Sequence, residues 1–189
     1  MSPRKADEPV RLTRIYTRGG DGGETSLGDG SRTSKLDPLI RAGGDVDELN
    51  SLLGWALVAG GDARLERIQN ELFDLGADLS VSFSEGDGKL RIDQAAVDRL
   101  ERECDDANAS LGELRSFVLP GGSERGARLH IARAACRRAE RAAIEAGKTR
   151  PVNPLVLAYL NRLSDLLFIL ARSANQEGGE PLWRPGGER

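Results

Sequence analysis

From Leu39 to about Gln176 the apolar positions recur at helical spacing. Val46, Leu49, Leu53, Ala56 and Leu57 mark one helix face, and Leu65, Ile68, Leu72, Leu75 and Leu79 mark the next. A Gly/Ser-rich stretch, SFSEGDGK, interrupts the pattern before a third helix opened by Asp93, in which Val97, Leu100, Cys104 and Ala107 share a face. The spacing predicts a fourth helix from Gly122 or Ser123, after Pro120, to a C-terminal cap near Gly147. Pro151 and Pro154 bracket the start of a fifth, whose stripe is Leu160, Leu163, Leu167, Leu170 and Ala174. Short connections between amphipathic helices favour an antiparallel bundle. Strand signals are weak, so the chain reads as all-α.

The 189 residues suit one domain with one core. We divide it into a Gly/Ser/Thr/Asp-rich N-terminal arm at 1–38, a helical bundle at 39–176 and a loosely held tail at 177–189. No run approaches the roughly 20 apolar residues of a membrane span, and the start MSPRKADEPVR has no apolar segment to act as a secretory signal. A cytoplasmic protein with no membrane partner is expected. Cys104 and Cys136 stand apart, without CxxC spacing, and read as reduced thiols.

Charge changes this picture locally. The formal net charge is -3, yet between Arg125 and Arg141 six arginines face a single Glu. Such concentration calls for an anion. At about 100° per residue, Arg133, Arg137, Glu140 and Arg141 share one arc with His130, while Leu129, Ala132, Cys136, Ala139 and Ala143 fill the adjoining arc. The arginine stripe therefore borders the buried face. Like charges four residues apart repel, and guanidinium groups bind phosphate oxygens in bidentate fashion, so a polyphosphate suits the stripe. Salt bridges to neighbouring helices are the competing explanation. Arg128 and Arg138 point elsewhere, toward surface or subunit contacts.

The arm carries YTRGGDGGETSL and then Lys35. Glycines let backbone N–H groups approach an anion, hydroxyls add donors and a lysine adds a point charge, so the segment could cradle a triphosphate. It is not a Walker loop and no strand leads into a Rossmann turn. A merely flexible glycine-rich arm is the alternative.

Six ordered blocks, IYTRGGDGGETSL, SKLDP, VDELNS, FVLPGG, ARLHIARAACRRAER and YLNRLSDLLFILAR, resemble the PduO-type ATP:cob(I)alamin adenosyltransferases over about Leu12 to Trp183. The resemblance implies a five-helix bundle, of the ferritin-like or cobalamin adenosyltransferase type, assembled as a homotrimer with a site at each subunit interface. It further implies transfer of the 5′-deoxyadenosyl group of ATP to cob(I)alamin, the cob(I)yrinic acid a,c-diamide adenosyltransferase reaction, with triphosphate leaving and Mg²⁺ beside the phosphates. By the same resemblance, Thr17, Arg18, Gly19, Gly20, Thr25, Ser26 and Lys35 match the ATP-binding arm. The RRAER run, Arg137, Arg138, Ala139, Glu140 and Arg141, matches the nucleotide site of a neighbouring subunit, and Asn161 matches a further ATP contact. Asp47 and Arg133 match a cross-subunit ion pair. Phe117 matches the aromatic residue beneath the corrin ring, and Phe168 another part of that floor. Phe117 would leave cob(II)alamin four-coordinate and reducible; the competing reading makes it ordinary core. This chain departs from the family's pattern at Gly43, where a Tyr is usual, and at Arg18, where a Lys is usual.

Because cobalt is the nucleophile in that reaction, no Ser, Cys or His nucleophile is needed, and no residue is assigned to a resident metal site. No haem, iron–sulfur or flavin ligand set is visible, which points to a separate, flavin-dependent reductase for the electron and an adenosylcobalamin-dependent mutase for the product. His130 reads as a structural hydrogen-bonding group, and Trp55 and Trp183 as packing residues. A carrier of adenosylcobalamin is distinguished by lack of turnover. A ferritin-like metal bundle needs Glu-x-x-His pairs, which the lone His does not provide. The acidic net charge argues against a nucleic-acid partner.

Overall fold

The structure, a computed structural model, describes Tyr16 and residues 18–186. It consists of a short antiparallel hairpin, β1 (Glu24–Ser26) and β2 (Arg32–Ser34), followed by α1 (Pro38–Val58), α2 (Ala63–Leu79), α3 (Gln94–Asn108), α4 (Glu124–Ala146) and α5 (Pro154–Ala174). The five helices fall where the periodicity places them. Each begins on a polar cap, Asp37, Asp62, Asp93, Ser123 or Asn153, whose side chain accepts a hydrogen bond from an otherwise orphaned backbone N–H. Pro38 and Pro154 occupy first-turn positions where no N–H is missed.

In the bundle, α1 packs on α2 and α4, α4 on α5, and α5 on α3. Ion pairs complete the circuit between α2 and α3: Arg67 meets Glu103 at 2.5 Å and Arg99 meets Glu71 at 2.6 Å. The Tyr159 hydroxyl, from buried α5, donates to Glu71 at 2.6 Å. Contrary to the sequence expectation, α5 is long and apolar enough to cross a membrane by length and composition. Its Val156, Tyr159, Leu160, Leu163, Leu166 and Leu167 are instead buried in the protein core.

The arm is more ordered than its composition suggested, and its hairpin went unread because three-residue strands carry almost no alternation. Leu27 is buried, and the N–H of Gly28 donates to the Ser80 carbonyl at 3.0 Å. Gly28 must be glycine there, since a Cβ would overlap the Ser80 side chain. At the other end, Asp37 accepts from Thr33 at 2.7 Å and from Arg150 at 2.9 Å, which holds its carboxyl below the usual range, the Thr33 hydroxyl contributing most.

The described part of the tail is also tied down, correcting the expectation of a loose extension there. Glu180 pairs with buried Arg172 at 2.9 Å, and the segment from Pro181 to Trp183 runs against the loop before α4. Asn175, the C-cap of α5, accepts from the Ser123 N–H at 2.8 Å and donates to the Gly121 carbonyl at 2.9 Å. This close approach explains Gly126, where a Cβ would collide with the Asn175 amide.

A second polar node lies at the opposite junction. Buried Asp78 accepts from Arg91 at 2.6 Å, from the Ile92 N–H at 2.9 Å and from Asn153 at 2.7 Å. Asn153 also donates to the Ile92 carbonyl at 2.9 Å and caps α5. Replacing Asn153 with Ala removes a cap and leaves buried acceptors short of donors, so we expect a loss of about 2–4 kcal/mol, measured by urea unfolding. An unchanged unfolding midpoint would show that this node does not hold α2, α3 and α5 together.

Candidate active site

Helix α4 carries the charge because its buried positions are small. Ala132, Ala135, Cys136, Ala139, Ala142, Ala143 and Ala146 line its core side, bringing its flanks close to α1 and α5 and leaving arginines along the border. These arginines divide into two groups. Arg125 is bound to Asp62 at 3.0 Å, Arg128 to Glu124, and Arg138 to both Asp45 at 3.1 Å and Glu48. Among the described residues, Arg133, Arg137 and Arg141 make no ion pair. Salt bridges to neighbouring helices, the competing explanation for the stripe, are thus not found there among the described residues, whereas Arg138, expected at the surface or a subunit contact, is tied to α1.

Arg133 is the least solvated of the stripe. Burial, and secondarily the charge of Arg137, push its pKa down, and its Nε is buried without a hydrogen-bond partner. Its guanidinium lies 6.0 Å from the centre of the Phe168 ring. Arg137 and Arg141 are exposed, joined by a bond of 3.0 Å from the Arg141 guanidinium to the Arg137 carbonyl. Beside them Asn161 of α5 donates to Glu140 at 3.1 Å and accepts from Arg162 at 2.8 Å. The amide is held from both sides, with Arg162 itself fixed by Glu101 at 2.7 Å. A cleft of about 530 Å³ runs between the start of α1 and the second half of α4, lined by Arg41, Asp45, Arg138, Arg141 and Glu145 among others.

In the arm, Arg18 adopts a left-handed backbone with φ 62° and sets its guanidinium 5.9 Å from the Tyr16 ring. Arg32 ties the loop to the hairpin, donating to the Gly19 carbonyl at 2.7 Å and to the Ser26 hydroxyl at 3.3 Å. Gly20 leaves room for Lys35, whose Nζ sits 3.0 Å from where a Cβ would be. Thr25 is half-buried on β1 and Ser26 is exposed. Thr17 lies outside the described residues.

At the other end of α4 the surroundings are apolar. Phe117 is 77% exposed and touches Trp183 edge-to-face, with ring centres 5.8 Å apart. Phe117 is not a core residue, which removes the competing reading of it. His130 is buried with its ring edge-to-face on Phe168 at 6.2 Å, and neither ring nitrogen has a hydrogen-bond partner. The hydrogen-bonding role expected for it is absent; burial first, then Arg133, hold it toward the neutral form. Along α4 the exposed Arg137 and Arg141 thus give way to Arg133 beside the Phe168 ring. Arg133, Arg137 and Arg141 span about 12 Å of helix.

The family model for cobalamin adenosyltransferases matches residues 15–174. The chain belongs to this family. A corrinoid adenosyltransferase from Mycobacterium tuberculosis (strain ATCC 25618 / H37Rv) is 53% identical over 189 residues, covering 95% of this chain and 97% of the relative. The Bacillus subtilis (strain 168) corrinoid adenosyltransferase is 42% identical over 174 residues, covering 88% and 89%. Among solved structures, a variant PduO-type ATP:corrinoid adenosyltransferase from Lactobacillus reuteri complexed with cobalamin and ATP superposes with a TM-score of 0.84 at 34% identity, covering 90% of this chain and 97% of that one.

Within this adenosyltransferase the RRAER run separates by environment. Ala139 is fully buried and serves packing, and Arg138 is engaged by Asp45 and Glu48, leaving Arg137, Glu140 and Arg141 facing outward or sideways. Asp47 is exposed on α1 and makes no ion pair with Arg133 within the chain. It lines a groove of about 310 Å³ with Gly43, Asn50, Phe73 and Gly76. Gly43 borders open space there, where a Cβ would meet nothing within 4 Å. Sequence reading missed Arg32 and Arg41. Arg32 had a signal in its spacing from the glycines, but only the unread hairpin brings it back to Gly19.

Because Phe117 is so exposed, Phe117→Ala should change unfolding stability by about 1 kcal/mol or less, against roughly 3–5 kcal/mol for truncating a buried Phe. Thermal or urea melts test this, and a loss in the larger range would return Phe117 to the core.

Proposed function

We infer that this adenosyltransferase moves the 5′-deoxyadenosyl group of ATP to the cobalt of cob(I)alamin, forming adenosylcobalamin and releasing triphosphate. The observation that carries this reading is the unpaired stripe of Arg133, Arg137 and Arg141 with Arg133 beside the ring of Phe168, together with the exposed ring of Phe117 in the loop before α4. The stripe suits a polyphosphate and the rings a large apolar macrocycle.

In the reaction, the electron pair of Co(I) attacks C5′, a Co–C bond forms, and the C5′–O bond breaks with its pair passing to triphosphate. Arg137, Arg141 and Lys35 meet the charge accumulating on the leaving group, the arginines through paired N–H donors and the lysine as a point charge. Asn161, pinned between Glu140 and Arg162, offers little rotational freedom to lose when it contacts the nucleotide. Gly19 and Gly20 allow the arm's backbone to approach the phosphates, with the Thr25 and Ser26 hydroxyls beside them. Among the described residues no three His, Cys, Asp or Glu side chains gather into a metal cage. Mg²⁺ bound beside the phosphates would supply charge neutralisation on the triphosphate. Phe117 works on the corrin side, shutting water and the nucleotide-loop base from the lower face so that cob(II)alamin stays four-coordinate and more readily reduced.

Two features support a site shared between copies in a homotrimer. Arg133 is partly desolvated with no anion of its own, and Asp47 stands exposed in an open groove beside Phe73, which is 70% exposed. Pairing Asp47 of one copy with Arg133 of the next would satisfy both and set one chain's arm over its neighbour's α4. In this reading the protein works in the cytoplasm, a separate flavin-dependent reductase supplies the electron, and an adenosylcobalamin-dependent mutase takes the product.

An anaerobic assay following loss of cob(I)alamin absorption in the presence of ATP tests the activity itself. Arg137→Ala should raise KM for ATP and lower kcat, since each lost charge-assisted bond is worth on the order of 1.5–3 kcal/mol, or roughly 10- to 150-fold. Wild-type kinetics at unchanged stability would remove the stripe from the site. Asp47→Asn should weaken both assembly and turnover, measured by light scattering and activity over a dilution series. An active monomer at assay concentration would show the site to be complete in one chain.

A further inference from the structure

Two extended segments distant in sequence run side by side and expose apolar side chains: Phe117 and Leu119 from the loop before α4, and Leu182 and Trp183 from the segment after α5. Val118 bridges Leu182 in antiparallel fashion, which by the two-residue period of extended chain sets Phe117 opposite Trp183 with both rings on one face. The Trp183 N–H donates to the Phe117 carbonyl at 2.8 Å, and the Leu119 N–H donates to the Pro181 carbonyl at 2.7 Å. The Ser116 hydroxyl adds a bond of 2.7 Å to the Trp183 carbonyl. Behind this ladder Arg172 grips the same segment through Glu180 at 2.9 Å and reaches the Gly112 carbonyl at 2.9 Å. The loop carrying Phe117 is therefore held along its length by the C-terminal strap.

A ring 77% exposed has almost no packing with which to select one rotamer. Trp183 supplies a contact that does so while leaving a Phe117 face free, because the rings meet at 60° and not in a stack. We propose that Trp183 is a positioning residue for the corrinoid step: it fixes the Phe117 ring at the angle from which it closes the lower face of cobalt. Trp183 acts through Phe117 and does not touch the reacting atoms. The inference rests on the role given to Phe117 above. Trp183 is itself 45% exposed, so its truncation perturbs the strap and not the helical core.

The test compares full-length Trp183→Ala, Trp183→Phe and Phe117→Ala with wild type, each with ATP and cob(II)alamin. Electron paramagnetic resonance reads the four-coordinate fraction, and a second measurement takes the ratio of the rate from cob(II)alamin plus reductant to the rate from chemically prepared cob(I)alamin. Trp183→Ala should lose much of the four-coordinate signal and lower that ratio by roughly tenfold, with ATP binding near wild type. Trp183→Phe, which keeps a ring at the contact, should recover most of the signal. A wild-type signal in Trp183→Ala alongside its loss in Phe117→Ala would overturn the strap's role and leave that of Phe117 standing. A wild-type signal in Phe117→Ala would overturn both. Parallel loss of ATP binding and signal in Trp183→Ala, unrelieved in Trp183→Phe, would make the contact structural and also overturn the proposal.

Discussion

Helix α4 lies against α1 and α5 at once because the positions it buries are small. Ala132, Ala139 and Ala143 are wholly removed from solvent, and a run of leucines there would hold its neighbours farther away. Close packing narrows the strip of α4 that remains at the surface and puts the Arg133 guanidinium beside the Phe168 ring. An arginine so placed is less well hydrated than one on an open helix, so an anion offered to it recovers more. The packing of small residues and the proposed affinity for polyphosphate are in this sense one property of α4. Replacing Ala139 with a larger residue would disturb the charge stripe without touching a charge.

Polar caps and junctions then decide where α4 points. Ser123 starts it, Asn175 clasps Ser123 from the end of α5, and Gly126 admits the Asn175 amide. The loop before α4 and the strap after α5 meet at this same clasp, which places an apolar platform one end of the helix and the exposed cations toward the other. The Asp78 node has the corresponding task at the far end, joining the close of α2 to the start of α5.

Much of this was legible from residues. The helices announce themselves through apolar spacing and through caps such as Asp93 and Ser123, because both signals are local. The arginine arc was equally plain, since 3.6-residue geometry fixes which side chains share a face. The same geometry set Arg138 apart from Arg137; what it did not show was that Asp45 and Glu48 on α1 claim Arg138, because those partners lie far off in sequence. The hairpin and the strap escaped notice for a related reason. Each consists of two or three residues of extended chain whose partners lie elsewhere, so backbone hydrogen bonds define them and side-chain pattern does not. His130 was misjudged because its type suggested donors and acceptors, whereas its neighbours are Phe168 and Arg133. Exposure of Phe117 could not be read from a Phe that opens the apolar run Phe117-Val118-Leu119.

The arm's two anchors bear on how strongly a nucleotide can be held. Fixing a backbone residue costs roughly 1–2 kcal/mol in conformational entropy, so an arm organised wholly by its ligand would consume most of the interaction energy that ligand offers. Here Leu27 is already buried, Gly28 already bonded to Ser80, and Thr33 already bonded to the cap of α1. Folding of the protein has settled the entropy of β1, β2 and their turn before any ligand arrives. The ordering left for a nucleotide to impose falls on the few glycine-rich residues ahead of β1, and even there Arg32 holds Gly19. In the proposed reading, a segment whose composition suggests disorder therefore closes on its ligand at small entropic loss, retaining adaptable backbone donors only where phosphate oxygens are to be met.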